Sequence, residues 1–265
     1  MENFKFKKSF GQNFIQDKNI IFNIVNKTKI KENSLVIEIG PGAGVLTREL
    51  SKVAKNVLAY EIDTRLEEEL DNNLIDCHNI NIIYDDFLKR DIKEDIKDYI
   101  YDNLYVVANI PYYITTPIIL KLIESKLSFE AITVMIQKEV GERFSASVGT
   151  RDYGSITVFL NYYFNIDRLF VVKRDAFYPK PNVDSVVISL RKKDNILKVI
   201  NEEFFFKLIR DSFRFKRKNI RNNLKSYNLE IAAKVLEKYQ KDLSSRAEEL
   251  SVEVFVDLAN ALYKN

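Results

Sequence analysis

The stretch EIGPGAG at residues 38–44 decides the fold, because it joins a short β-branched run to a helical pattern that begins at Val45. Its glycines, Gly40 and Gly42 among them, can adopt positive φ and let the backbone approach a ligand closely. In open α/β sheets, ligands bind at the carboxyl ends of the strands. The stretch therefore predicts a doubly wound sheet with a ligand site at the end of its first strand. A loop that only turns a corner is the alternative interpretation.

Outward from this stretch, short β-branched runs alternate with helical patterns through the first two thirds of the chain. The alternation is typical of βαβ units and predicts a mostly parallel sheet. Two later runs, Ser155–Phe164 and Val183–Leu190, have no long helical pattern between them, so we expect an antiparallel pair at one edge of the sheet. The expected parallel strands are Leu35–Ile39, Val57–Ile62, Ile80–Tyr84, Leu104–Ala108 and Ala131–Ile136.

The β pattern ends after Arg191, and the rest of the chain shows the helical spacing of apolar residues. Helical patterns begin at Glu202, Glu230 and Ser251, after a linker-like stretch at residues 192–201. We therefore expect an α/β domain at residues 1–192 and a small all-α domain at residues 193–265.

Composition excludes several classes of protein. One cysteine, Cys77, cannot form an internal disulfide, and with one histidine, His78, it supplies too few ligands for a structural zinc site, so we expect no metal cofactor. The first residues mix lysines with polar residues and show no secretory leader, which favours a reducing cytoplasm. Residues 103–120 are uncharged, but Asn109 and Pro111 favour a buried strand followed by a turn, so we expect no membrane partner.

The charge is unevenly distributed along the chain. The formal net charge is +3, yet the segment Phe204–Lys225 contains eight basic residues and a single acid, Asp211. If Phe213–Lys225 is helical, four of these cations lie on one face, which suits a phosphate backbone. A solvated helix face is the alternative interpretation. The four cations are Arg214, Lys218, Arg221 and Lys225.

The second strand ends in an acid, Glu61, about 20 residues after the glycine turn, where a carboxylate can accept hydrogen bonds from both hydroxyls of a ribose. Asp86, after the third strand, can accept from an adenine amino group while Phe87 packs on the base. A turn and a core contact are the commoner roles of such residues. The dinucleotide fingerprint needs glycine at position 45, where Val45 stands, so NAD is the weaker candidate. The sequence predicts a nucleoside cofactor bound by Gly40, Gly42, Glu61 and Asp86.

The fourth strand runs into Asn109-Ile110-Pro111-Tyr112. The exocyclic amine of adenine is a poor nucleophile, because its lone pair is delocalised into the ring. An Asn109 side-chain oxygen and a main-chain carbonyl fixed by Pro111 can accept both N–H protons and favour a pyramidal, nucleophilic nitrogen, while Tyr112 stacks on the base. Such residues also occur in ordinary turns, but their place after a buried strand favours a catalytic role.

In these motifs and in five further blocks, the sequence resembles the small-subunit ribosomal RNA adenine N6,N6-dimethyltransferases, a family of S-adenosylmethionine-dependent enzymes. The resemblance covers nearly the whole chain and depends on the order and spacing of the blocks. They are FGQNFI at residues 10–15, QKEV at 137–140, GTRDYG at 149–154, FYPKPNVDS at 177–185 and RAEELSV at 246–252.

The resemblance implies a Rossmann-like class I methyltransferase sheet and S-adenosylmethionine as the cofactor. Phe177 matches the family's second aromatic, which sandwiches the target base against Tyr112. Ile15 and Ile110 stand where leucine is usual and Arg151 where lysine is usual, and none of these differences removes a chemical function. The implied cofactor contacts are Asn13, Ile15, Gly40, Glu61, Asp86 and Asn109, and the implied catalytic residues are Asn109, Ile110, Pro111, Tyr112 and Phe177.

A further block, FKRKNIRNNL at residues 215–224, matches the same family and favours RNA binding over a solvated helix face. The implied RNA-binding residues are Arg214, Lys216, Arg217, Lys218, Arg221 and Lys225.

The resemblance implies dimethylation of two adjacent adenines in a small-subunit (16S-type) rRNA hairpin loop during ribosome assembly, by a monomer acting on a pre-ribosomal particle. One alternative is a large-subunit (23S-type) rRNA adenine N6-methyltransferase of macrolide resistance, which shares the Asn-x-Pro-Tyr site. The blocks at residues 153–154 and 246–252 favour the small-subunit group. The other alternative is a non-catalytic RNA-binding factor, which predicts a degraded Asn109–Tyr112 motif, whereas the motif is intact.

Overall fold

The structure is a computed structural model that describes residues 14–15 and 17–264. The chain divides into two compact units, the first within residues 1–141 and 167–192 and the second within residues 142–166 and 193–265. The end of the expected sheet domain, after residue 192, is also a boundary between these units. Residues 142–166, which we expected in the sheet domain, belong to the second unit.

Among the described residues, seven strands form one mixed sheet, in the spatial order β4-β3-β2-β5-β6-β9-β7. The first five of these run parallel, and β9 runs antiparallel to β6. The expected fold class, a mostly parallel sheet with an antiparallel edge, is confirmed. The strands are β2 (Ser34–Ile39), β3 (Asn56–Glu61), β4 (Ile80–Tyr84), β5 (Asn103–Asn109), β6 (Phe129–Gln137), β7 (Phe164–Val172) and β9 (Ser185–Lys192).

The central strands of the sheet read as continuous apolar runs because both of their faces are buried. Every residue of β2 is buried, and so are the five inner residues of β5. Two shorter strands, β1 (Phe14–Ile15) and β8 (Phe177–Tyr178), form a separate antiparallel pair. The helices that follow strands of the first unit are α1 (Lys18–Thr28), α2 (Val45–Ser51), α3 (Glu67–Leu74), α4 (Ile92–Ile96), α5 (Thr115–Glu124) and α6 (Lys138–Phe144), the last of which ends in the second unit.

The expected strand Ser155–Phe164 is wrong, because residues Ser155–Tyr163 form a helix, α7. The Thr157 hydroxyl accepts a hydrogen bond from the Gly154 N–H and so caps its first turn. Val158 and Tyr162, one turn apart, both pack in the core of the second unit. A short apolar run rich in β-branched and aromatic residues does not separate strand from helix by periodicity. The edge strand is instead β7, which begins at Phe164.

The second unit is a small helical unit with its own apolar core. Helices α8 and α11 pack on α7 and on each other around Phe205 and Phe255, which are both fully buried. All three helical patterns expected from the sequence are confirmed. The helices after α7 are α8 (Glu202–Ser212), α9 (Ile220–Asn223), α10 (Leu229–Glu237) and α11 (Val252–Tyr263). No helix in the described part of the chain is long and apolar enough to cross a membrane.

The condition on which a single face of cations depended, a helix over Phe213–Lys225, is not met. Helix α8 ends at Ser212, and residues 213–219, which we call the basic turn, lead into the single-turn helix α9. The chain leaves the helix here because the Asn223 side chain donates to the Ser212 carbonyl at 2.7 Å, and Asn219 then caps α9 by accepting a hydrogen bond from the Asn222 N–H. The four cations expected on one helix face are therefore presented by a turn and by the residues that follow it.

Candidate active site

A cleft of about 1170 Å³, including the solvent at its mouth, opens at the carboxyl ends of β2, β3, β4 and β5. Parallel strands bring their carboxyl ends to one edge of a sheet, so four separate sequence motifs meet there. The residues proposed from the sequence that line it are Ile15, Gly40, Gly42, Glu61, Asp86, Asn109, Ile110, Pro111 and Tyr112.

The glycine turn forms the floor of the cleft, and two of its glycines are needed for different reasons. Gly40 has a φ of +75°, and a Cβ built on it would meet nothing within 4 Å, so the backbone is open to a ligand. Gly42 has a φ of +59°, and a Cβ there would lie 2.8 Å from the ring of Phe14. The turn therefore presents bare backbone to the cleft, as close approach by a ligand requires.

Glu61 is buried at the end of β3 and ties the glycine turn to its own loop. Its two carboxylate oxygens accept hydrogen bonds from the N–H of Gly42 (3.1 Å) and the N–H of Asp63 (2.8 Å). Burial raises the pKa of Glu61, and these two backbone donors partly oppose the rise. A carboxylate has about four acceptor positions, so Glu61 keeps acceptor capacity for a ligand hydroxyl beside these backbone donors.

Glu38 was not proposed from the sequence, although it opens the glycine stretch. Its side chain is 1% exposed, lines the cleft, and holds one oxygen, Oε2, without a hydrogen-bond partner among the described residues. Burial raises the pKa of Glu38 to about 8, and the neighbouring charge of Glu61 adds to the rise. A buried acid directly before a glycine turn was the available signal for this residue.

Asp86 and Phe87 follow β4, as expected, and have different roles in the loop. The Asp86 carboxylate caps a short 3-10 helix, accepting from the Leu88 N–H at 3.0 Å, and its side chain remains partly exposed to the cleft. Phe87 is buried and packs edge-on against Tyr60, with the ring centroids 5.1 Å apart. Of these two residues, Asp86 is the one that offers a polar group to a ligand, and its carboxylate also pairs with Lys89 at 3.8 Å.

Asn109 ends β5, and the residues after it are fixed at both ends. The Ile110 N–H donates to the Met135 carbonyl of β6 at 3.2 Å, and the Ile110 side chain is buried. The Tyr112 hydroxyl lies 2.6 Å from the Ser185 hydroxyl at the start of β9, which orients its ring. The Asn109 amide and the Tyr112 ring consequently line the same cleft from a rigid strand end.

The structure does not bring Phe177 to the wall of this cleft. The side chain is 3% exposed and packs in the apolar core of the first unit, and its backbone pairs with Ile15. The neighbouring Tyr178 is exposed instead. A role for Phe177 against the base stays a prediction, and Asn13 lies outside the described residues.

The proposed RNA-binding residues belong to the second unit, and all of them are exposed. Within the described part of the chain, no ion pair engages any of the six. The acid nearest to them in sequence, Asp211, binds Lys207 at 2.7 Å and the Tyr227 hydroxyl at 2.5 Å.

Across residues 14–15 and 17–264, no group of three or more His, Cys, Asp or Glu side chains is arranged to hold a metal ion.

We expect Glu38→Gln to flatten the pH dependence of stability. The ordinary pKa of 4.5 is raised to about 8 in the folded protein, so the folded chain keeps a proton that the unfolded chain has released. The free energy of unfolding should therefore fall as pH rises from about 4.5 to about 8, and this contribution disappears with glutamine. Thermal unfolding of both proteins without cofactor measures it. If both proteins lose the same free energy of unfolding between about pH 4.5 and about pH 8, the raised pKa of Glu38 is contradicted.

Comparison with known proteins agrees with this geometry. A family model described as ribosomal RNA adenine dimethylase matches residues 3–264. The chain is 45% identical over 269 residues to ribosomal RNA small subunit methyltransferase A of Bacillus cytotoxicus, covering 98% of this chain and 92% of that protein. A solved dimethyladenosine transferase from Plasmodium falciparum is similar with a TM-score of 0.78 and 27% identity, over 92% of this chain and 95% of that one. The solved 23S rRNA methyltransferase ErmE is similar with a TM-score of 0.74 and 28% identity, over 95% of this chain and 100% of that one.

These two structural matches show that the sheet and its antiparallel edge are those of a Rossmann-like class I methyltransferase. Because the family model spans almost the entire sequence, the chain belongs to the ribosomal RNA adenine dimethylase family. It is an rRNA adenine dimethyltransferase, and membership of this family implies S-adenosylmethionine as the methyl donor.

Proposed function

We propose that this chain binds S-adenosylmethionine in the cleft and dimethylates N6 of two adjacent adenines in a small-subunit (16S-type) rRNA hairpin loop. The observation that carries the proposal is that the Asn109 amide and the Tyr112 ring line the same cleft as Glu61 and the glycine turn. The chemistry of amine activation and that of nucleoside binding thus meet in one place. Similarity to a small subunit methyltransferase of Bacillus supports the choice of RNA.

The residues of the cleft fit the proposed cofactor. The remaining acceptor capacity of Glu61 suits a ribose hydroxyl, and the open backbone at Gly40 admits close approach. The unpartnered buried oxygen of Glu38 can accept a further hydrogen bond from the bound molecule. Asp86 offers an acceptor to an adenine amino group, and Ile15 adds an apolar contact. When bound, the cofactor supplies an activated methyl group on a sulfonium.

Asn109 and the backbone beside it prepare the target amine. The Asn109 side-chain oxygen and the Ile110 carbonyl accept hydrogen bonds from the two N–H groups, which favours a pyramidal nitrogen with an available lone pair. Pro111 fixes the turn, and Tyr112, held by Ser185, stacks on the base. These residues mainly align the attack: the amine gains the methyl group, the sulfur leaves with the bonding electron pair, and the methylated nitrogen is acidic enough to lose its proton to water without a strong base.

The six exposed cations of the second unit supply affinity for the RNA backbone. Lysine and arginine contacts to phosphates position a protein without reading sequence. Adenine is too common for a small cleft to choose one site in a ribosome, so the choice depends on RNA shape read elsewhere. We therefore propose that the partner is a partly assembled small-subunit particle. We further propose that the protein acts on it as a monomer in the cytoplasm.

The large-subunit alternative is the second candidate, because the fold of ErmE is nearly as similar as that of the dimethyladenosine transferase. The fold therefore does not distinguish a small-subunit rRNA substrate from a large-subunit one. The 45% sequence identity to a small subunit methyltransferase favours the small-subunit substrate. A non-catalytic factor is disfavoured by the intact motif that lines the cleft.

Incubation with labelled S-adenosylmethionine tests substrate choice. We expect immature small-subunit particles to accept methyl groups rapidly and a short synthetic hairpin of the same loop to remain nearly unmodified, because only the particle offers distant RNA to the second unit. Large-subunit precursors serve as the matched control. Equal rates on hairpin and particle would refute selection at a distance, and preferred labelling of large-subunit RNA would refute the proposed substrate.

A further inference from the structure

Phe215 lies in the middle of the basic turn and is 55% exposed. Arg214 and Lys216 flank it, and Arg217 and Lys218 follow, all of them exposed. Single exposed apolar residues are ordinary on protein surfaces. An exposed aromatic ring between four cations is different, because aromatic rings and cations are the two components with which proteins bind single-stranded nucleic acid.

The backbone around Phe215 is held in place from inside the second unit. The buried Asn223 side chain accepts a hydrogen bond from the Phe215 N–H at 3.2 Å and donates to the Ser212 carbonyl at 2.7 Å. The same amide group also lies 3.3 Å from the Lys218 carbonyl. Both sides of Phe215 are therefore anchored to one side chain, so presenting the ring to a ligand requires little further ordering.

The charges beside the ring are available to a ligand. The guanidinium carbon of Arg214 lies 5.5 Å from the centroid of the Phe215 ring, so a planar cation and an aromatic ring are presented together. No acid occurs between Asp211 and Glu230, and the Asp211 carboxylate is already bound by Lys207 and Tyr227. The basic turn thus combines an exposed ring with cations that form no ion pair among the described residues, although the charge of Arg214 also acts on the Asp211 carboxylate.

We propose that Phe215 is a stacking platform for one unpaired base of single-stranded RNA, with the flanking cations on the phosphates to either side. The inference rests on the proposed function, since it takes RNA as the partner, and it adds the kind of nucleotide that the second unit contacts. Unpaired bases expose their faces to aromatic side chains. In a duplex the base faces are covered, so a duplex engages only the cations.

The test compares Phe215→Leu and Phe215→Tyr with the wild-type protein at full length. The probes are a short single-stranded oligoribonucleotide carrying one 2-aminopurine and a blunt RNA duplex. We expect Phe215→Leu to lower affinity for the single strand by about fivefold or more and to lose fluorescence quenching, because leucine keeps bulk but has no π face. Phe215→Tyr should keep both the affinity for the single strand and the fluorescence quenching. Duplex affinity and the salt dependence of binding should not change.

Lys216→Ala provides the contrasting variant, since it should lower the slope of log affinity against log salt by about 0.7 on the single strand. If wild-type protein binds RNA and Phe215→Leu binds the single strand equally well, the stacking platform is refuted and the proposed function stands. An equal loss on strand and duplex also refutes it. If wild-type protein binds neither probe, the RNA-binding part of the proposed function fails instead.

Discussion

Asn109→Ala should lower the turnover of methyl transfer by about a hundredfold to a thousandfold, the cost of removing one preorganised hydrogen-bonding group aimed at the reacting centre. The hydrogen bonds that Asn109 makes to the amine strengthen as the nitrogen becomes pyramidal, so they act mainly in the transition state. RNA affinity should change little, because the exposed cations of the second unit supply it. Asn109 is fixed at the end of β5, so alanine should leave the strand in place.

Single-turnover methylation of small-subunit particles at saturating cofactor measures this effect without interference from weaker cofactor binding. Asn109→Asp is the matched control, because it keeps an acceptor oxygen at the same place and should retain more activity than alanine. Filter binding of RNA to each variant checks the second half of the expectation. Turnover of Asn109→Ala within a few-fold of wild type would show that amine activation does not depend on this side chain.

Glu61→Ala should weaken S-adenosylmethionine binding by about tenfold to a hundredfold. One charge-assisted hydrogen bond is worth about 1.5–3 kcal/mol, so the expected loss is that of one such bond from a ribose to this largely buried carboxylate. The structure adds a second reason, since Glu61 also holds the Gly42 N–H at 3.1 Å and so shapes the glycine turn. Loss of the side chain removes both effects.

Isothermal titration calorimetry with wild type, Glu61→Ala and Glu61→Gln separates the two contributions. Glutamine keeps one acceptor oxygen for Gly42 but has no charge, so its affinity should fall between the other two. Thermal unfolding without cofactor reports any change in the turn itself. Unchanged affinity in Glu61→Ala would remove this residue from the cofactor site.

Much of the first unit can be predicted from the sequence, because the residue patterns that define its strands are local. The five parallel strands are found within two residues of their expected bounds. Four of them are largely buried and read as apolar runs, and the partly exposed edge strand β4 is marked by its β-branched residues. The site residues at their carboxyl ends meet because parallel strands end at one edge. Motifs far apart in sequence, such as Glu61 and Asn109, therefore line one cleft.

The errors arise where tertiary packing decides between two local structures. Residues Ser155–Tyr163 satisfy a strand pattern, but the core of the second unit takes Val158 and Tyr162 from a helix. The basic segment has helical spacing, yet the Asn223 side chain bonds the backbone of a turn. Glu38 was missed although an acid directly before a glycine turn is visible in the sequence, because its burial and its unpartnered oxygen come from tertiary packing.

The measurement closest to the central claim is mass spectrometry of ribosomal RNA from bacteria that lack their own small-subunit adenine dimethylation and express this chain. We predict N6,N6-dimethyladenosine at two adjacent adenines of one small-subunit hairpin loop, and its absence when Asn109→Ala is expressed at the same level. New methylated adenines in large-subunit RNA, or unmodified small-subunit RNA with the wild-type chain present in soluble form, would contradict the account.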